Sequence, residues 1–152
     1  MNIDTLRQEI ADDEGCVNSV YLDHIGLETC GVGHLILEGE PEYGQPVGTD
    51  VPEERVRQLF ALDVAVTIED CKILYSDWDS KSDELQHILC NLMFNMGRPR
   101  MSKFKKFIAA VEAEDYETAG YFQTTTALTR VRFKYNTNDF IGGRITMFGL
   151  VK

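Results

Sequence analysis

Between Asp13 and Leu35 the chain reads D-E-G-C-V-N-S-V-Y-L-D-H-I-G-L-E-T-C-G-V-G-H-L, and this stretch limits the fold more than any other. Gly15 supplies the left-handed conformation that ends a helix at low cost. Val20, Tyr21 and Leu22 read as a strand, Asp23-His24-Ile25-Gly26 as a hairpin turn, and Thr29 lies in the next strand, followed by Gly31-Val32-Gly33-His34. Upstream, Ile3, Leu6, Ile10 and Glu14 fall at helical spacing. A helix followed by a small antiparallel sheet is therefore expected at the N-terminus.

The same stretch carries two carboxylic acids in unlike settings. Glu14 continues the apolar face of the first helix, where desolvation would raise its pKa and keep it protonated. Asp23, at a turn, is expected to be wetter and ionised. With the hydroxyl of Thr29, they form a set able to hydrolyse a glycosidic bond: one acid protonates the leaving oxygen, the other positions a water or attacks directly. The plainer alternative is a helix-end charge and a turn residue, both common on protein surfaces.

Glu14-Gly15, Tyr21-Leu22-Asp23, Gly26, Thr29 and Gly31-Val32-Gly33-His34 stand in one register without a gap. Together they resemble the active-site segment of T-even-type bacteriophage lysozymes, the endolysin muramidases of glycoside hydrolase family 24. The resemblance implies that Glu14 is the general acid and that Asp23 and Thr29 hold the attacking water, giving inversion. It implies cleavage of the β-1,4 bond between N-acetylmuramic acid and N-acetylglucosamine in peptidoglycan. No cofactor and no metal are implied.

Further along, Glu38 to Thr49 is rich in Gly, Pro and Glu and reads as an irregular loop. Asp50-Val51-Pro52-Glu53 looks like a capped helix start. Val56, Leu59, Phe60, Val64, Thr67 and Cys71 then recur at helical spacing to about Leu74. Asp63 lies on that stripe and needs a partner, for which His34 is the natural candidate. The family has an Asp at the matching place of its long linking helix. Trp78 sits in a turn, and Leu85, Ile88, Leu89, Leu92, Met93 and Met96 mark a core helix beginning near Ser82 or Asp83 and stopped by Gly97 and Pro99. Phe94-Asn95-Met96-Gly97 resembles the family's Phe-Asn-x-Gly motif, which implies that Leu35 and Phe94 border the sugar site and that Asn95 hydrogen-bonds substrate. Ser102 is expected to cap a helix with Phe104, Phe107, Ile108 and Val111 inside and Lys103, Lys105 and Lys106 outside. Asp115-Tyr116-Glu117-Thr118-Ala119 starts another, Thr129 to Tyr135 alternates like a strand, and Gly142-Gly143-Arg144 echoes the family's Arg-rich end. The resemblance is close over residues 1–120 and weak over 121–152.

The expected architecture is α+β and lysozyme-like: a small N-terminal lobe with a short antiparallel sheet (1–55), a long linking helix (56–75) and a mostly helical C-terminal lobe (76–152), with the cleft between the lobes. Cysteines at 16, 30, 71 and 90 lack metal-ligand spacing and read as reduced core thiols. No secretory signal or membrane span is visible, so a chain of this kind is expected in the host bacterial cytoplasm until released to the wall. It would act as a monomer, without stable membrane anchoring, and would need a separate holin-type permeabilising protein. Residues 1–80 hold 4 Lys/Arg against 18 Asp/Glu, and residues 81–152 hold 11 against 7, so balances of −14 and +4 make the net −10. The basic half, through Lys103, Lys105, Lys106, Arg130, Arg132 and Lys134, is expected to meet an anionic wall polymer. An inactive wall-binding module, an acidic interaction protein such as a nucleic-acid mimic, and a relative acting on chitin remain the alternatives. The intact Glu14, Asp23 and Thr29 argue against the first, and the Gly-x-Gly-His segment against the second, so nucleic acid is not an expected partner.

Overall fold

The computed structural model of the 152-residue chain describes residues 1–114. The helix expected at 115–119, the strand-like run 129–135 and the 142–144 segment lie outside the described residues. The chain divides into two compact units, Met1–Glu69 and a second from Asp70 onward. The short antiparallel sheet and the helices give the α+β, lysozyme-like fold.

The first unit opens with α1 (Ile3–Glu14). Asn2 caps it, its side-chain oxygen accepting from the Asp4 and Thr5 N–H groups at 3.0 and 3.1 Å. Gly15 ends it with φ 76°. Only the middle of the expected stripe is buried: Leu6 and Ile10 are inside, whereas Ile3 and Glu14 are exposed at the helix ends.

Strands β1 (Val17–Leu22), β2 (Glu28–Gly31) and β3 (His34–Leu35) follow, in the order β1-β2-β3, all antiparallel. Tyr21 stands opposite Thr29, and Thr29 opposite Leu35; on the next row Cys30 faces His34. Side chains alternate across a sheet. One face therefore carries Val20, Cys30 and His34, and the other carries Tyr21, Thr29 and Leu35. Val20 and Cys30 join Ile36, Val51, Val56 and Leu59 in the core. Gly31 lies so close to the following helix that a Cβ built on it would be 2.9 Å from Cγ1 of Val56.

The helix α2 (Glu53–Leu74) begins beyond the cap signal at Asp50 and ahead of the residue 56 expected for the linking helix. Asp50 does not cap it. The segment before Pro52 is drawn into extended pairing with β1: the Val20 N–H donates to Thr49 O at 2.9 Å, the Val51 N–H to Asn18 O at 3.0 Å, and Asp50 bridges Ser19. The stripe itself is inside as expected, with Val56, Leu59, Val64, Thr67 and Cys71 buried and Phe60 half-buried.

In the second unit a 3-10 turn at Trp78–Ser80 precedes α3 (Asp83–Met96), α4 (Arg98–Met101) and α5 (Lys105–Glu112). Ser82 caps α3 by accepting from the Leu85 N–H at 3.3 Å. Buried Trp78 accepts at its carbonyl from Gln86 Nε2 at 2.8 Å, and the buried Lys81 ammonium pairs with Asp77 at 2.7 Å. Arg98 reaches back to Asp70 at 2.7 Å. Ser102 does not cap α5, because its hydroxyl donates to Pro99 O at 3.1 Å, closing α4 instead. Phe104 takes the cap position without a side-chain bond. Among the cysteines, Cys30, Cys71 and Cys90 are free and buried, but Cys16 is exposed, so the core reading fails there. No helix among the described residues is long and apolar enough to cross a membrane.

Candidate active site

Asp23 follows β1 directly and is held by the turn it begins. Its Oδ1 accepts from the N–H groups of Ile25 and Leu27, both at 2.9 Å. The Leu27 amide, against the opposing effect of desolvation and with help from the Ile25 amide and the charge of His24, holds this carboxyl below the usual aspartate range. The acid is therefore ionised at neutral pH. The Ile25 and Leu27 amides share Oδ1, and the Gly26 amide adds a weaker pull on the same carboxyl.

Thr29 is bound to the same peptide. Its Oγ1 donates to Leu27 O at 3.0 Å, and the Asp23 N–H donates to that carbonyl at 2.9 Å. Leu27 thus fixes both the carboxylate, through its N–H, and the hydroxyl, through its C=O. Thr29 is buried, while its cross-strand neighbours Tyr21 and Leu35 are half-buried and exposed.

Glu14, at the last turn of α1, is exposed as a residue, which differs from the expected burial on the apolar face. Its carboxyl nevertheless titrates high. Protein atoms around the headgroup remove part of its hydration, and the adjacent Asp13 charge adds to the rise. The phenol of Tyr21 is within electrostatic reach of both acids.

His34 is buried, and its imidazole sits between two acids. Nδ1 donates to Asp63 at 2.9 Å to Oδ2 and 3.1 Å to Oδ1, and Nε2 donates to Glu40 Oε2 at 2.9 Å. The Asp63 hydrogen bond, outweighing burial and assisted by Glu40, raises the His34 pKa to about 9, so the ring is charged at neutral pH. Glu40 was not legible from the sequence, and neither was what lies beyond it. Arg55 holds Glu42 with two bonds, at 2.9 and 3.0 Å, and reaches Glu40 at 3.4 Å. Glu40 also accepts from the Leu37 N–H at 2.7 Å, and Glu28 from the Gly44 N–H at 3.0 Å. The irregular loop after the sheet is thereby tied down by charge. A loop of Gly, Pro and Glu has no periodicity to announce which acids turn inward.

In the second unit Phe94 is half-buried and Asn95 exposed near the end of α3. Glu14, Asp23, Thr29, His34, Leu35 and Asp63 all belong to the first. Among the described residues no group of three or more His, Cys, Asp or Glu side chains is placed to hold a metal ion.

A family model described as phage lysozyme matches residues 11–136. Relatives include a probable T4-type lysozyme 2 of Dictyostelium discoideum, 26% identical over 136 residues, which is 77% of this chain and 80% of that protein. Another is the pre-baseplate central spike protein Gp5 of Enterobacteria phage T4, 23% identical over 133 residues, covering 76% of this chain but 23% of that protein.

Proposed function

This chain belongs to the phage lysozyme family and is a glycoside hydrolase of the muramidase type, and from that premise we propose how its residues carry the reaction. Its substrate is bacterial peptidoglycan, cleaved at the β-1,4 bond between N-acetylmuramic acid and N-acetylglucosamine. Glu14 donates a proton to the leaving oxygen. Asp23 accepts a proton from a water held with Thr29 on the far face of the sugar, and the product is inverted. Leu35, Phe94 and Asn95 contact the saccharide. The chain acts as an endolysin, a monomer released to the wall with the help of a separate permeabilising protein.

The observation that carries this reading is the opposite tuning of the two acids. Glu14 is raised by desolvation and by Asp13, whereas Asp23 is lowered by backbone amides. A proton donor and an ionised acceptor can then coexist at one pH, which acid–base hydrolysis requires. The shared anchorage of Asp23 and Thr29 on Leu27 supports a common task for them. The decisive experiment digests purified peptidoglycan, identifies fragments by mass and follows the new anomeric centre by NMR. Muramic-acid reducing ends of inverted configuration are expected. Retained configuration would make Asp23 a nucleophile, and intact walls would remove the assignment altogether.

A further inference from the structure

We propose that Tyr21 is a third residue of the water site, its phenol O–H donating to the attacking water that Asp23 and Thr29 hold. The inference rests on the reading given above and extends it. A water has two protons to give and two lone pairs. The Thr29 proton is already given to Leu27 O at 3.0 Å, so toward a water its hydroxyl can only accept. Ionised Asp23 can also only accept. A water held by both donates to each, and its lone pairs remain. One must point at the anomeric carbon. The other needs a donor, or the water keeps rotational freedom that weakens its aim.

The sheet puts a donor on that side. Tyr21 stands directly opposite Thr29, which places their Cβ atoms about 4.5–5.5 Å apart on one face. That face is the one away from the Val20, Cys30 and Ile36 core. Tyr21 is half-buried, and among the described residues no hydrogen bond engages its phenol. Burial first, then the thiol of Cys30 and the charges of Asp23 and Glu14, push its pKa upward, so the phenol keeps its proton. His24, whose charge also reaches Asp23, sits exposed in the turn and outside the sheet row.

The test uses the full chain and soluble peptidoglycan oligosaccharides, with kcat and KM separated. Tyr21→Phe is expected to lower kcat roughly ten-fold, the worth of one hydrogen bond, with KM and melting temperature unchanged. Replacing Tyr21 by 3-fluorotyrosine, which keeps the shape and the O–H, is expected to keep the wild-type kcat. A Tyr21→Phe variant with wild-type kcat, or one with raised KM and unchanged kcat, overturns the proposal, as does loss of kcat in the fluorotyrosine protein. These outcomes are separable from failure of the underlying reading, in which the wild-type chain itself would leave the oligosaccharides uncleaved.

Discussion

Glu14 and Asp23 differ by what surrounds a carboxyl, and each surrounding can be altered alone. Glu14→Gln keeps the shape but has no proton to give, so turnover should fall roughly 10²–10⁴-fold with the melting temperature held; wall-turbidity and thermal scans on the same preparation check both. Asp13→Asn removes the charge that helps hold the Glu14 pKa up. The alkaline limb of kcat against pH should therefore move to lower pH, while the acid limb, set by Asp23, stays in place. An unmoved alkaline limb would detach that limb from Glu14. His34 permits a stability prediction with a defined sign. Its pKa rises on folding from about 6.5 to about 9, so its contribution is complete below the unfolded value and is lost as pH climbs through the folded one. That rise corresponds to about 3 kcal/mol. Glu40 is opposite in sense. Desolvation would raise it, but the Leu37 N–H, His34 and Arg55 together hold it below the usual glutamate range. Its share is present above the unfolded pKa and disappears as pH falls through the folded one. Urea titrations should show His34→Asn at its worst near pH 5–6 and converging on wild type above pH 9. Combined with Asp63→Asn or Glu40→Gln, it should cost less than the sum of the single changes, because the three side chains form one chain of contacts.

At the scale of elements, β2 approaches α2 too closely at Gly31 to leave room for a side chain. Gly31 has φ 61°, and a methyl there would press on Val56, whereas Gly33, at φ 71°, faces open space. Gly31→Ala should therefore cost more than Gly33→Ala: about 1–2 kcal/mol of backbone strain in each, plus about 1–3 kcal/mol of overpacking in the first alone. Denaturant midpoints of the two variants, and partial recovery in Gly31→Ala/Val56→Ala, check this. The elements differ in how readily the sequence announces them. The stripe from Val56 to Cys71 and that from Leu89 to Met96 were legible because one helical face meets the core every three or four residues. The sheet was legible from its turns and its glycines. The raised Glu14 carboxyl and the lowered Asp23 carboxyl agree with their expected settings at a helix end and a turn, but the burial of the whole apolar stripe does not, since Ile3 and Glu14 lie outside its buried part. Helix starts misled at Asp50 and Ser102, where a competing backbone partner takes the residue that local chemistry offers as a cap. The inward turn of Glu40 and Glu42 has no periodic signal, because it depends on His34, six residues before Glu40, and on Arg55, 13 to 15 residues further on.

At the scale of the whole molecule, charge opposes contact with the wall. The balance of −14 over residues 1–80 meets a polymer that is itself usually anionic, and +4 over residues 81–152 only partly offsets it. Screening acts over about 8 Å near physiological salt and roughly 3 Å at 1 M, so the longer-ranged repulsion fades before close basic contacts do. Lysis rates should rise or hold steady from low to moderate NaCl. The exposed lysines flanking and opening α5 are the described part of the basic half, and Lys103→Ser/Lys105→Ser/Lys106→Ser should slow lysis at low salt; a steep fall of the wild-type rate with salt, or a triple variant equal to wild type throughout, would remove this docking role. Arg130, Arg132 and Lys134 lie outside the described residues. The alternation of the sheet has one more consequence, for descent with modification. Val20, Cys30 and His34 face the interior while Tyr21, Thr29 and Leu35 occupy the other side, so neighbouring codons answer to different selective pressures. On the proposed reading, a lineage meeting a new wall polymer can vary the exposed Leu35, while Tyr21 and Thr29 keep the water and the interior row keeps the fold.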